Sequence, residues 1–334
     1  MVRTRLAGWS WLLLAGLLIG FPPGVGRCMA DAGQDATLVP LSLMLGAHPK
    51  ARFAGYYLAK ELGYYREAGI ELRIEQAASG RSPLEALREG RADIALLWLP
   101  TAVQARAEGV PLVNLAQILR HSSLVIIARA SSGVRAVSDL DGRRLGIPVD
   151  ERRLPVEILR RKMGLGFTSV PQSASVNLFL RGGVEAVAGL WSDDYHLLLN
   201  AGLDPEDLAV LPLTELGVDL PEDGLYALES TRNQRSGPLA AFLTATRRGW
   251  EAAAEDPASA LDLVLGIQRA ARIPANRAHE RWMLGLMLDA LGPSSPDGWD
   301  WRLKREELAR ARDLLSETGL LDAKAGALTG LGDW

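Results

Sequence analysis

This chain of 334 residues holds a single cysteine, Cys28, near its start. If the segment up to Ala30 is removed, no cysteine is left, which excludes disulfides, thiol catalysis and thiolate metal sites. Histidine is almost as scarce, at four residues. His48 has no second histidine near it in sequence, so no metal site is expected. Charge of one sign is lacking too. The net charge of −3 gives no broad basic field, so nucleic acid is not an expected partner. There is no G-x-S-x-G, no H-E-x-x-H, no P-loop and no intact dinucleotide fingerprint. The Gly164–Gly166 pair follows a helical pattern rather than a strand, so it reads as a turn. Heptads, low-complexity tracts and short repeats are absent. Beyond the first thirty residues no stretch is long and apolar enough to span a membrane.

The N-terminus reads as a targeting segment. Arg3 and Arg5 precede an apolar run from Leu12 to Phe21 that is short for a membrane span. Cys28-Met29-Ala30 offers small residues before a cut, so residues 1–30 are expected to be a signal peptide cleaved after Ala30. Lipid modification of Cys28 is the alternative. Arg27, where a lipoprotein signal wants a small residue, weighs against it.

The mature part is long enough for two lobes. Between Phe53 and Leu99 the apolar residues change period three times. Ala54, Leu58, Leu62 and Tyr65 fall on one helical stripe that Gly69 ends. Glu71–Gln76 alternates as a strand. A Ser79-Gly80-Arg81-Ser82-Pro83 loop and a short helix to Gly90 lead into Ala92–Leu99, an apolar run of the kind buried on both faces. Further strands are expected at Thr37–Leu45, Val110–Ile118, Leu124–Arg129, Arg144–Val149, Val184–Trp191 and Leu225–Ser230. Helices are expected at Val156–Met163 and Ser175–Arg181, with another beginning at Asp193. From Pro238 nearly everything to Asp322 reads as helical. Strands alternating with helices define an α/β protein with mostly parallel sheets, whose loops at strand ends form ligand crevices.

Ala54–Leu72 and the turn and strand that follow it carry a resemblance. They are similar to the solute-binding proteins of ABC importers. The nearest branch takes up alkanesulfonates, taurine and thiamine-pyrimidine precursors, and it also contains the thiamine-pyrimidine synthase. The resemblance continues at Ser138–Pro148, Leu180–Asp194 and Phe242–Leu261, and covers most of the chain after residue 40. It implies a two-lobed periplasmic binding protein type II fold, each lobe a mostly parallel sheet flanked by helices, with a helical C-terminal part. Residues 37–120 and 231–334 would form lobe one and 121–230 lobe two, with crossings near Arg120 and Thr231. It also implies a periplasmic, monomeric protein that traps a small organic molecule by hinge closure and delivers it to an ABC permease and ATPase. The alternatives are an enzyme of the thiamine-pyrimidine synthase type and a ligand-sensing module for a membrane signalling partner.

The cleft should collect loops at strand ends. From lobe one these bring His48, Lys50, Arg52 and Phe53, then Ser79, Gly80, Arg81 and Ser82, then Trp98 and Thr101. From lobe two they bring His121 and Ser123, Glu151 and Arg152, then Trp191, Asp193 and Asp194. The loop at Ser79–Pro83 opens a helix whose free N–H groups, with Arg81, suit an anion; equally, Ser82 suits a plain helix cap. Trp98 and Trp191 end corresponding strands and can sandwich a ring or simply fill the core. Asp193 and Asp194 suit an aminopyrimidine or an ammonium, where the pyrimidine binders of the family have an acidic residue; one of the two also suits an N-cap. His48 can hydrogen-bond a ligand near neutral pH. His196, inside a helix, is expected to be structural, and His279, in the C-terminal helices, is expected far from the cleft. The synthase branch holds its cofactor with a lysine and a nearby histidine just after the third strand. Here that stretch is Leu97–Thr101 with neither, and the synthase's cysteine cluster is missing as well. No cofactor and no enzymatic turnover are therefore expected. Ala47 stands where many relatives have Trp.

Overall fold

The computed structural model describes residues 38–46, 48–77, 82–173, 175–292, 299–321, 328–332 and 334. The expected signal segment, Cys28, Ala47 and the Ser79-Gly80-Arg81 loop lie outside them.

In chain order the strands are β1 (Val39–Leu45), β2 (Ile70–Gln76), β3 (Ile94–Trp98), β4 (Leu112–Gln117), β5 (Leu124–Arg129), β6 (Arg144–Pro148), β7 (Thr168–Gln172), β8 (Ala186–Leu190), β9 (Leu208–Pro212) and β10 (Asp223–Leu228). They form two five-stranded sheets, ordered β2-β1-β3-β10-β4 and β7-β6-β8-β5-β9. In the first, β1 runs parallel to β2 and β3, and β10 runs antiparallel to β3 and β4. In the second, β6 runs parallel to β7 and β8, and β5 antiparallel to β8 and β9. In each sheet the antiparallel strand is the one by which the chain enters. A chain arriving from the other sheet meets the near edge first. Its entry strand must then run away from the interface that the parallel strands run toward.

Two segments bridge the sheets, 118–123 between β4 and β5 and 213–222 between β9 and β10. Arg120 lies in the first. The second corrects the expected crossing near Thr231, because β10 belongs to the first sheet and not to the end of lobe two. Leu225, Tyr226 and Ala227 are fully buried. Such a run announces a central strand but carries no sign of which sheet it joins or in which direction.

The helices are α1 (Ala54–Glu61), α2 (Tyr64–Glu67), α3 (Pro83–Arg88), α4 (Leu99–Ala107), α5 (Arg153–Met163), α6 (Asn177–Leu180), α7 (His196–Asn200), α8 (Glu229–Glu255), α9 (Pro257–Ala270), α10 (Arg277–Leu291) and α11 (Arg305–Glu317). The expected stripe on α1 fails at Leu62, which is 45 % exposed, because Gly63 in the left-handed region ends the helix there. Every residue of Ala54–Ala59 is buried instead. The cause is α8, which packs against α1 backbone to backbone. A Cβ on Gly249 would lie 2.2 Å from the carbonyl oxygen of Gly55, and one on Gly55 would strike the ring of Trp250. Trp250, fully buried, meets Tyr56 edge-on at 5.8 Å. Pro238 sits inside α8 just after a kink at Arg235. Strands β7 and β9, absent from the sequence reading, are the two edges of the second sheet. β7 is mostly exposed and β9 half-buried, and each contains a proline, as edge strands tolerate.

Candidate ligand-binding cleft

The loops after β1 and β3 of the first sheet meet the loops after β6 and β8 of the second. The loop after β1 is held from behind. Glu280 of α10 accepts from the Ala51 N–H at 2.7 Å, and Gln268 of α9 donates to the Pro49 carbonyl at 3.0 Å. This fixes the backbone that carries Lys50 and Arg52. Facing it, the chain leaves β8 through a π-helical turn, Trp191–Tyr195, before α7. The wide turn brings two consecutive aspartates inward. Asp194 folds back over Gly189 and accepts from the Leu190 N–H at 2.8 Å. Asp193 points to the other lobe, where Lys50 pairs with it and His279 of α10 lies 3.0 Å away.

Burial pushes both aspartate carboxyls up. For Asp193 the hydrogen bond from His279 and the Lys50 charge outweigh burial and hold it well below the usual carboxylate range. For Asp194 burial wins, helped by the Asp193 charge, despite Arg152 at 2.9 Å. Arg152 also grips Asp150 at 2.6 Å. On the first-lobe side, Arg52 binds Asp223 at 2.9 Å and Glu222 at 3.4 Å, and the indole of Trp98 donates to Asp223 at 3.2 Å. Glu222 accepts from the Ser123 N–H at 2.6 Å and from the hydroxyls of Ser122 and Ser123, which ties the two bridging segments together. Burial raises its carboxyl to about 7. Glu151 reaches across from the second lobe and accepts from the Trp98 N–H at 2.6 Å, and burial raises it to about 8. An aromatic wall closes one side. Trp191 stacks on Tyr195 at 4.1 Å and its carbonyl accepts from the indole of Trp282, which in turn lies against His196.

Lys50, Trp98, Glu151, Trp191 and Asp193 of the expected set therefore meet at the contact between lobes, with Ser123 at the bridge. Thr101 lies half-buried in the first turn of α4. The other expected residues are placed as follows. Ser82 caps α3, accepting from the Glu85 N–H at 3.2 Å, and is exposed. Phe53 is part of the first lobe's core, with its ring against Gly46. His121 is exposed and paired with Asp219. His48 is exposed on its loop. His279, expected far away, lies against Asp193, because the C-terminal helices return to the cleft through α10. Glu222 and Asp223 also escaped the sequence reading. Two adjacent acids at the mouth of an apolar strand were their signal, masked by the misplaced crossing. Among the described residues no group of His, Cys, Asp and Glu is arranged to hold a metal.

Two sheets of one build, bridged twice and meeting at a charged cleft, define a periplasmic-binding-protein fold. The periplasmic aliphatic sulphonate binding protein SsuA from Escherichia coli shares it, with a TM-score of 0.66 and 18% identity over 88% of this chain and 98% of that one. The chain belongs to the NMT1/THI5-like family, which it matches over residues 50–260. A formylaminopyrimidine-binding protein of Halalkalibacterium halodurans is 27% identical over 80% of this chain and 82% of its own length. A 4-amino-5-hydroxymethyl-2-methylpyrimidine phosphate synthase of Legionella pneumophila is 27% identical as well, but over about a third of each chain, 32% and 34%.

Proposed function

We propose that this protein captures an aminopyrimidine-type solute between its lobes outside the cytoplasm and delivers it to an ABC permease with its ATPase, without chemical turnover. One observation carries the choice of ligand. Among the described residues at the cleft, Lys50, Arg52 and Arg152 are each already paired with carboxylates. Glu151 and Glu222 stand there in addition to Asp150, Asp193, Asp194 and Asp223. Acceptors thus exceed cations two to one. Such a cleft suits a flat ligand rich in N–H donors, with Trp98 and Trp191 available to cover its ring. A sulfonate would have to draw a cation out of an existing pair. The name of the Halalkalibacterium relative supports the same class. The non-enzymatic reading rests on Leu97–Thr101, which offers neither lysine nor histidine at the end of β3. Among the described residues no helix is long and apolar enough to cross a membrane.

Thermal unfolding of the purified protein against aminopyrimidines, alkanesulfonates and polyamines tests this. A ligand at about 100 times its dissociation constant adds roughly 2.7 kcal/mol, a rise of several degrees. The rise is expected with formylated or free aminopyrimidines. A rise with alkanesulfonates alone would overturn the choice of ligand.

A further inference from the structure

Glu151 uses one of its two carboxyl oxygens. Oε2 takes the N–H of Trp98, the last residue of β3, and does so across the two lobes at 2.6 Å. Oε1 is buried and has no hydrogen-bond partner. The nearest charges give it little help. Asp150 and Asp223 repel it, and the one favourable cation, Arg52, is held by Asp223 and Glu222. A carboxyl in this position is costly to bury alone and gains when a donor reaches it.

We propose that Glu151 selects for a donor in the ligand: its Oε2 takes the Trp98 N–H across the lobes, and its buried Oε1 is kept for an N–H of the ligand. This rests on the aminopyrimidine reading above. An N–H on Oε1 supplies the missing partner and favours the ionised form that burial disfavours. A sulfonate brings no N–H and leaves Oε1 without a partner. Sites built around such an unfilled acceptor reject analogues without the donor far more strongly than a shape-selective pocket does.

The test is calorimetric titration of wild type, Glu151→Gln and Glu151→Asp with a formylaminopyrimidine and with ethanesulfonate. Glutamine keeps an oxygen for the Trp98 N–H but puts an amide donor where the acceptor Oε1 stands. Its preference for the pyrimidine should fall at least tenfold, with part of the change appearing as gained sulfonate affinity. Aspartate keeps a carboxyl but not the reach, and adds no amide donor, so it should lose pyrimidine affinity and still refuse the sulfonate. Glu206→Gln, which removes an exposed charge at the far end of β9, should leave the preference unchanged. If wild type prefers the pyrimidine and folded Glu151→Gln keeps that preference within threefold, the role of Glu151 is refuted while the functional reading stands. Wild type that takes neither ligand, or prefers the sulfonate, overturns both.

Discussion

Asp193 and Asp194 are neighbours with different tasks, and substitution should separate them. Asp193→Asn removes the partner that Lys50 and His279 share across the lobes. Truncating one side of a buried pair costs about 2 kcal/mol or more, so ligand affinity should fall roughly thirtyfold in a titration, and the unfolding temperature of the free protein should fall with it. Asp194→Asn instead weakens the tie to Arg152 and should lower the unfolding temperature first. The pH dependence follows from the buried glutamates. Glu151 and Glu222, raised to about 8 and about 7, bind protons more tightly folded than unfolded. Their contribution is complete below the ordinary glutamate range and is lost as pH rises through those values. Asp193, held low, contributes above the ordinary aspartate range and loses it as pH falls. Thermal unfolding should therefore show a maximum in mildly acid buffer and a decline toward pH 8.5, shallower in Glu151→Gln. The sequence exposed the candidates but not their directions. Nothing in two adjacent aspartates says which folds back over Gly189, and nothing at His279 announces that α10 ends its course against the other lobe.

Elements with a buried face were readable, β2 and β4 at the edges of the first sheet included; the sparsely covered edge strands of the second sheet were not. The apolar runs at β1, β3, β5 and β8 stand out because both faces of each strand are covered. β7 and β9 show sparsely covered faces and interrupting prolines, so no period emerges. The α1 stripe misled in the opposite sense. Its residues are buried all round, and a tight glycine contact has no hydrophobic signature. The packing of α1 on α8 is nonetheless sharply testable. Gly249→Ala sets a methyl 2.2 Å from the Gly55 carbonyl, backbone against backbone. The helices must part, at about 1–3 kcal/mol or more by chemical denaturation. Gly285→Ala on α10, where a Cβ meets nothing within 4 Å, should be neutral or slightly stabilising.

For the whole molecule, the two-lobed plan was legible through the resemblance, while the position of the second crossing was not. Direction and sheet membership of β10 are properties of the assembled sheet, absent from any local pattern. Contacts between lobes run through Lys50–Asp193, Trp98–Glu151 and Trp191–Trp282, each joining one lobe to the other. Ligand should therefore shift the protein toward a compact form, seen as a smaller radius of gyration in solution scattering. Asp193→Asn should need more ligand to reach it.

The placement of β10 also bears on how the molecule is assembled. The second sheet is complete once Pro212 has emerged, since its strands are consecutive in the chain. The first sheet is made earliest and finished last, with a vacant central lane between β3 and β4 until Asp223–Leu228 arrives. A nascent or translocating chain thus carries two exposed strand edges facing each other across that lane while the later lobe is already able to fold. A chain stopped at about Leu216 should yield one protease-resistant lobe and one open, aggregation-prone half-sheet.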